Sequence, residues 1–83
     1  MKYYVYILKS RKNRRYYIGM CKDLTKRITE HNRGKTRSTK NGIPWEIVLT
    51  EDFYNRRDAY KRERQIKRYK GGQAFKELLR KGG

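Results

Sequence analysis

The segment Tyr3-Tyr4-Val5-Tyr6-Ile7-Leu8 limits what this chain can fold into more than any other stretch. It is rich in aromatic and β-branched residues and carries no charge before Lys9. A run of this kind over residues 3–9 reads as a β-strand, and because it is apolar on both faces it reads as a central one. A polar, turn-like stretch from Ser10 to Arg15 follows, and then Tyr16-Tyr17-Ile18-Gly19-Met20-Cys21, a second strand. So short a connection implies an antiparallel hairpin. Gly19 within the second strand signals a bulge or a close approach to the backbone.

The rest of the chain divides at its caps and glycines. Asp23 as N-cap and Gly34 as the residue past the C-cap bracket a helix over 23–34. Leu24, Ile28 and His31 fall on one face of it, and Arg27 shares that face. Residues 35–44 are expected to form a polar loop closed by Gly42 and Pro44. Residues 45–53 read as a third strand in which Trp45, Ile47 and Leu49 alternate. Asn55 caps a second helix over 56–70, with Asp58 in a capping-box-like role, and Gly71-Gly72 ends it. Its apolar stripe is narrow: Ala59 and Ile66, with Tyr69 near and Glu63 between them on the same line. A short last helix over 73–81 turns Phe75, Leu78 and Leu79 inward. The expected fold class is α+β, a three-stranded antiparallel sheet flanked by helices in the order β-β-α-β-α-α. One domain over 1–83 accounts for the whole pattern, without repeat or linker.

Charge points to the partner. Twenty-four Lys and Arg against eight Asp and Glu give a net charge of +16. Such an excess calls for a polyanion, and nucleic acid is the common one. A membrane surface fits less well, because there is no long apolar run, no N-terminal signal pattern and no basic helix with a broad apolar face. The single cysteine, Cys21, excludes an internal disulfide and fits a reducing, cytoplasmic setting. A zinc ribbon is excluded for want of a Cys/His set.

Individual surface cations carry little information in so basic a chain. The informative charges stand where an apolar residue is expected: Arg27 and His31 on the first helix, Glu63 on the second. Two readings follow from the residues alone. One is a buried Arg–Glu pair, or side chains that reach back to water. The other is a cleft, with each helix presenting a polar group toward the tyrosine-bearing hairpin.

In chain order these residues resemble the GIY-YIG endonuclease family. Tyr4-Val5-Tyr6 stands as a degenerate first motif, and Tyr17-Ile18-Gly19 is an intact second one. The helix Asp23-Leu24-Thr25-Lys26-Arg27-Ile28-Thr29-Glu30-His31-Asn32 resembles the family's "DL–RL–EHN" segment, and Ala59 and Glu63 match its "A-x-x-x-E" helix. Two positions depart from the pattern: the first glycine is absent, and Met20-Cys21 replaces residues that are commonly small or hydroxylated. Neither change removes a candidate catalytic group, and Cys21 is expected to be a half-buried inert thiol.

The resemblance implies metal-dependent hydrolysis of phosphodiester bonds in DNA, with little sequence preference and with selection of branched, flapped or single-stranded forms, in repair or recombination. Glu63 would be the one protein ligand of Mg2+ or Mn2+, which tolerates few protein ligands because it keeps waters and takes phosphate oxygens. Arg27 would donate to the phosphoryl oxygens. Tyr17 is the first candidate for the base that activates water, with Tyr6 next, and His31 would hold one of them or act as the base itself. Surrounding cations are expected to lower the tyrosine pKa. Gly19 would let the backbone approach the metal-bound phosphate or the next helix. Arg33, Lys35, Arg37 and Lys40, after the first helix, and Lys67 on the second are the candidate phosphate contacts. Lys61, Arg62, Arg64 and Arg68 decorate the second helix as well. Strand alternation assigns Tyr17 to the cleft and Tyr16 to the opposite face.

A different class of function stays open: a non-catalytic basic binder whose tyrosines stack on bases, or a basic RNA-associated protein. Glu63 discriminates, since a carboxylate on a phosphate-binding face is of no use to a pure binder unless Arg27 pairs with it.

Overall fold

A computed structural model describes residues 2–82, and its middle is the strand that the apolar run predicts. β1 (Tyr3–Ser10) lies between β2 (Tyr16–Cys21) and β3 (Trp45–Phe53), antiparallel to both. Val5, Tyr6, Ile7 and Leu8 are all buried. Four consecutive buried side chains on one strand require cover on both faces of the sheet, because successive residues point to opposite sides.

The helices provide that cover. α1 (Leu24–Asn32) packs Leu24 and Ile28 onto Tyr6, Leu8 and Trp45. α2 (Arg56–Tyr69) and α3 (Gln73–Gly82) pack on the other face, where Ala59, Ile66 and Phe75 meet Val5, Ile7, Ile18 and Leu49. The two tyrosines of β2 divide as strand alternation requires: Tyr16 packs with the α2–α3 layer and Tyr17 with the α1 layer. The α+β class and the order of elements follow the sequence pattern.

β3 departs from the simple alternation of Trp45, Ile47 and Leu49. Ile7 pairs with Leu49, but Leu8 pairs with Ile47, so Val48 is an extra residue opposite the Ile7–Leu8 step. This bulge shifts the phase of the strand by one. Trp45 therefore joins the α1-side cluster, Leu49 joins the α2-side cluster, and Ile47 is left 39% exposed.

The segment 35–44 is also more structured than a polar loop. Arg37–Gly42 forms a 3-10 helix that carries buried Thr39 and Gly42. Three contacts pin it. The Trp45 indole N–H donates to the Thr39 carbonyl at 2.7 Å, the Ser10 hydroxyl donates to the Gly42 carbonyl, and the Trp45 ring lies so close to Gly42 that a Cβ there would collide with it. Ser10 also accepts the Lys12 and Asn13 amides, both at 3.1 Å, so one buried hydroxyl ties the hairpin turn to the 3-10 helix. Asn32 clasps the end of α1 to β3: it accepts the Trp45 N–H at 2.7 Å and donates to the Trp45 carbonyl at 3.1 Å.

The caps sit where the sequence puts them. Asp23 accepts the Lys26 amide at 3.0 Å, and Gly34, just past the Arg33 C-cap, has a φ of +78°. Asn55 accepts the Asp58 amide at 2.8 Å, while the return bond runs between the side chains, Asn55 Nδ2 to Asp58 Oδ2 at 3.0 Å. Asn55→Ala removes both, and the protein should lose about 1 kcal/mol of stability in urea titrations. Asn55→Asp, which keeps the acceptor, should lose much less.

Candidate active site

A phenol lies in the middle of the α1-side layer. Tyr6 is 1% exposed, and its hydroxyl must find partners inside the protein. Its ring passes over β2 at the residue directly opposite it, Gly19. A Cβ on Gly19 would lie 2.5 Å from the Tyr6 hydroxyl oxygen and 3.1 Å from the Tyr17 ring. The close approach that Gly19 signals in the sequence is therefore made by the Tyr6 side chain.

Beyond Gly19 the Tyr6 hydroxyl meets two groups from α1. Arg27 Nε donates to it at 3.4 Å, and His31 Nε2 lies 3.1 Å away. His31 is fully buried, and its Nδ1 is 2.7 Å from the Thr39 hydroxyl, which is 3.3 Å from the Thr36 carbonyl. Counting protons fixes the direction of this chain. Arg27 can only donate and the Thr36 carbonyl can only accept. Among the described residues the Tyr6 proton has one acceptor, His31 Nε2. The imidazole proton then sits on Nδ1 and goes to Thr39, whose own proton goes to Thr36. The chain runs Arg27, Tyr6, His31, Thr39, Thr36 with every buried polar atom satisfied; no buried side-chain N or O is left unpaired among the described residues.

The environment holds both titratable links neutral. Burial pushes the Tyr6 phenol up to about 12, outweighing the lowering effect of the Arg27 hydrogen bond. Cations were expected to make the tyrosines more acidic; for Tyr6 desolvation wins, and it is a poor base. His31 is pushed below its ordinary 6.5, first by burial and then by the Arg27 charge, against a smaller opposing pull from Glu30. With both ring nitrogens bonded inside the protein, His31 has no nitrogen free to receive a proton from water.

Tyr17 differs from both. Its ring stands 4.9 Å from the His31 ring and 6.3 Å from that of Tyr6, and it is half-buried. Its hydroxyl has no hydrogen-bond partner among the described residues, so it faces water. Arg27 is partly open too: its side chain is 38% exposed, Nη1 meets Glu30 Oε1 at 3.4 Å, and Nη2 has no partner among the described residues. Tyr6, Tyr17, Gly19, Arg27 and His31 are thus brought together.

No hydrogen bond or ion pair joins Glu63 to that cluster among the described residues. Glu63 lies on α2, which covers the opposite face of the sheet, and its closest ionic partner is Lys67 at 3.7 Å. The Arg27–Glu63 pair that the sequence allowed is not formed: Arg27 goes to Tyr6 and Glu30. Glu63 is 14% exposed, beside Tyr60, Arg64 and Arg68 in a shallow depression. No group of three or more His, Cys, Asp or Glu side chains able to hold a metal exists among the described residues. A lone carboxylate with no tight partner suits a hard divalent cation that completes its shell with water and phosphate, and does not suit zinc.

The candidate phosphate contacts fall into two groups. Arg33, Lys35, Arg37 and Lys40 are exposed around the end of α1 and the 3-10 helix. Lys67 is exposed on α2 with Lys61, Arg64 and Arg68. Arg62 is not available in the same way: it grips Glu51 with two bonds of 2.7 and 3.0 Å. Cys21 is half-buried, and burial pushes its thiol up, as expected of an inert cysteine.

Sequence reasoning missed Thr39. One hydroxyl among several in a polar stretch carries no periodic signal, and its role depends on the 3-10 helix that brings it to His31. Thr39→Val should leave the His31 Nδ1–H unpaired in the interior and cost roughly 1–3 kcal/mol, while Thr39→Ser should restore most of it. His31 also makes stability pH-dependent. Its folded pKa lies below 6.5, so the unfolded chain takes up the proton first as pH falls. Urea midpoints should be flat above that value, decline below it, and level off under the lowered folded pKa; the decline should vanish in His31→Gln.

Three comparisons bear on this arrangement. The family model described as the GIY-YIG catalytic domain matches residues 2–76. A UPF0213 protein of Staphylococcus saprophyticus is 41% identical over 69 residues, 82% of this chain and 83% of that one. A UPF0213 protein of Clostridium perfringens is 42% identical over 66 residues, 78% of this chain and 70% of its own. Among solved structures, the solution NMR structure of the UPF0213 protein BH0048 from Bacillus halodurans superimposes with a TM-score of 0.63 at 30% identity, covering 100% of this chain and 88% of that one.

Proposed function

The chain belongs to the GIY-YIG family, a nuclease family, and from that premise we propose that it is a divalent-metal-dependent endonuclease that hydrolyses DNA phosphodiester bonds with little sequence preference, in repair or recombination. The observation that carries this reading is the difference between the two tyrosines: Tyr6 is buried and holds its proton, while the Tyr17 hydroxyl is open to water beside it.

The roles divide accordingly. The Tyr17 phenol gives its proton to solvent, and its phenolate then orients the attacking water and takes the water's proton. Tyr6 and His31 do not exchange protons with substrate; they form the buried strut that fixes Arg27 at Nε and the Tyr17 ring at its edge. Arg27 then offers Nη2 to the charge that builds on the phosphoryl oxygens, a rigid fork that Lys cannot replace. Glu63 holds the divalent cation, Mg2+ or Mn2+. When bound, that cation polarises the phosphate and stabilises the leaving oxygen. Arg33, Lys35, Arg37, Lys40 and Lys67 contact backbone phosphates, which makes binding salt-sensitive and largely blind to sequence.

The absence of an Arg27–Glu63 pair favours this reading over a non-catalytic binder, which has no use for a carboxylate that Arg27 does not engage. Cleavage of labelled single-stranded, duplex and flapped DNA, with magnesium or with EDTA, is the test. Glu63→Ala and EDTA should each abolish cutting. Tyr17→Phe should lower the rate about 100-fold or more, and Tyr16→Phe should barely change it. Arg27→Ala should cost about 100–1,000-fold in rate with DNA affinity near normal. No cutting by the wild type with any divalent metal, or equal cutting by Glu63→Ala, would return the protein to the class of non-catalytic binders.

A further inference from the structure

The turn between β1 and β2 is built more tightly than its polar sequence requires. Every backbone amide from Ser10 to Arg15 is bonded inside the protein. The Arg11 N–H donates to the Pro44 carbonyl at 2.9 Å, and the Lys12 and Asn13 amides share the Ser10 hydroxyl. The Arg14 N–H reaches the Ser10 carbonyl at 3.0 Å, the Ser10 N–H reaches the Arg15 carbonyl at 2.8 Å, and the Arg15 N–H reaches the Asn13 side chain at 2.9 Å. Within this frame Arg14 has a φ of +61°, the one positive φ at a residue other than glycine among the described residues. That conformation crowds a Cβ, and glycine or asparagine adopts it more readily. Arg11, Lys12, Arg14 and Arg15 are all exposed, and none is in an ion pair among the described residues.

A strained arginine and four like charges held side by side both work against folding. None of the four side chains joins the two buried layers, so nothing in the core offsets them. A polyanion does. We propose that this turn is a rigid clamp for the DNA backbone, additional to the cations after α1 and on α2, and that Arg14 is its central phosphate contact. A guanidinium presents a fixed fork to phosphate oxygens, and a turn with no free amide leaves little to order when DNA binds. Tyr17 follows Arg14 by three residues on the same hairpin, at most about 11 Å along the backbone. A phosphate gripped by the turn therefore lies within a few nucleotides of one at the Tyr17 hydroxyl. The clamp rests on the reading that DNA is the substrate, and it adds where the backbone is held on the hairpin side of the site.

Arg14→Asn separates the two effects of this residue. It removes the charge and puts in its place a side chain that accepts a positive φ, so the protein should melt about 4 °C higher while binding DNA less well. Binding is read in EDTA with a fully paired DNA duplex. The slope of log affinity against log salt should become shallower by about 0.9, the share of one phosphate contact, and affinity at about 0.1 M salt should drop roughly eightfold. Arg14→Lys, which keeps the charge, should keep both the slope and the Tm. Lys81→Gln, which removes an exposed charge from the end of α3, should leave the slope unchanged. With metal present, Arg14→Asn should raise KM and leave kcat as it was, because the contact is the same in the ground and transition states. Unchanged affinity in Arg14→Asn would overturn the proposal, as would an equal loss in Lys81→Gln. A lower Tm in Arg14→Asn would overturn it too, since the arginine would then serve the fold. A protein that cuts nothing but shows the Arg14 effect in EDTA loses its nuclease reading and keeps the clamp. A nuclease without that effect loses the clamp alone.

Discussion

The interior position of the Tyr6 hydroxyl governs the α1 half of this protein. A phenol oxygen buried in an apolar layer costs free energy unless both its lone pairs and its proton are used. Satisfying it draws in Arg27 and His31 from α1, requires glycine at position 19, and through His31 requires Thr39. Thr39 in turn requires the 3-10 helix, which Trp45 and Ser10 hold in place. One hydroxyl thus links all three strands, α1 and a segment that would otherwise be a loop. It does so through bonds that stiffen the surroundings of Tyr17 and Arg27, the two groups left facing water. The rigidity of this layer and the placement of Tyr17 and Arg27 have the same physical source.

The opposite face is simpler. Val5, Ile7, Ile18, Leu49, Ala59, Ile66 and Phe75 form an ordinary apolar core under α2 and α3. The contrast explains why so much charge is tolerated. The core is confined to two thin layers, one on each side of β1, and nearly all of the +16 lies outside them. Arg27 and Glu63 sit on the inward lines of their helices, where each takes the place of an apolar side chain; Arg27 is spent on the Tyr6 hydroxyl and Glu30, and Glu63 on a long contact with Lys67.

What was legible in the sequence was whatever a short window encodes. The central strand showed in consecutive apolar residues, the hairpin in its short polar turn, and the helix starts in Asp23 and Asn55. The opposite placement of Tyr16 and Tyr17 followed from alternation alone. What was hidden depended on tertiary contact. The bulge at Val48 leaves no local mark and shifts the phase of β3, so Trp45 and Leu49 serve different cores. The 3-10 helix over Arg37–Gly42 exists because Thr39 and Gly42 are held by residues outside it, and in isolation its sequence reads as loop. The pKa of Tyr6 was misjudged because the count of nearby cations was visible and the depth of burial was not.

The account turns on the direction of the hydrogen-bond chain, and the protein's single histidine makes that direction measurable. The ¹⁵N and ¹H resonances of the imidazole distinguish the two neutral tautomers without ambiguity of assignment. Donation from Tyr6 to His31 Nε2 predicts an Nδ1–H tautomer, slow in exchange with water and titrating below 6.5. An Nε2–H tautomer, or an imidazole that titrates at its ordinary value, would mean that Tyr6 does not donate to His31 and that the strut behind Arg27 and Tyr17 is built differently.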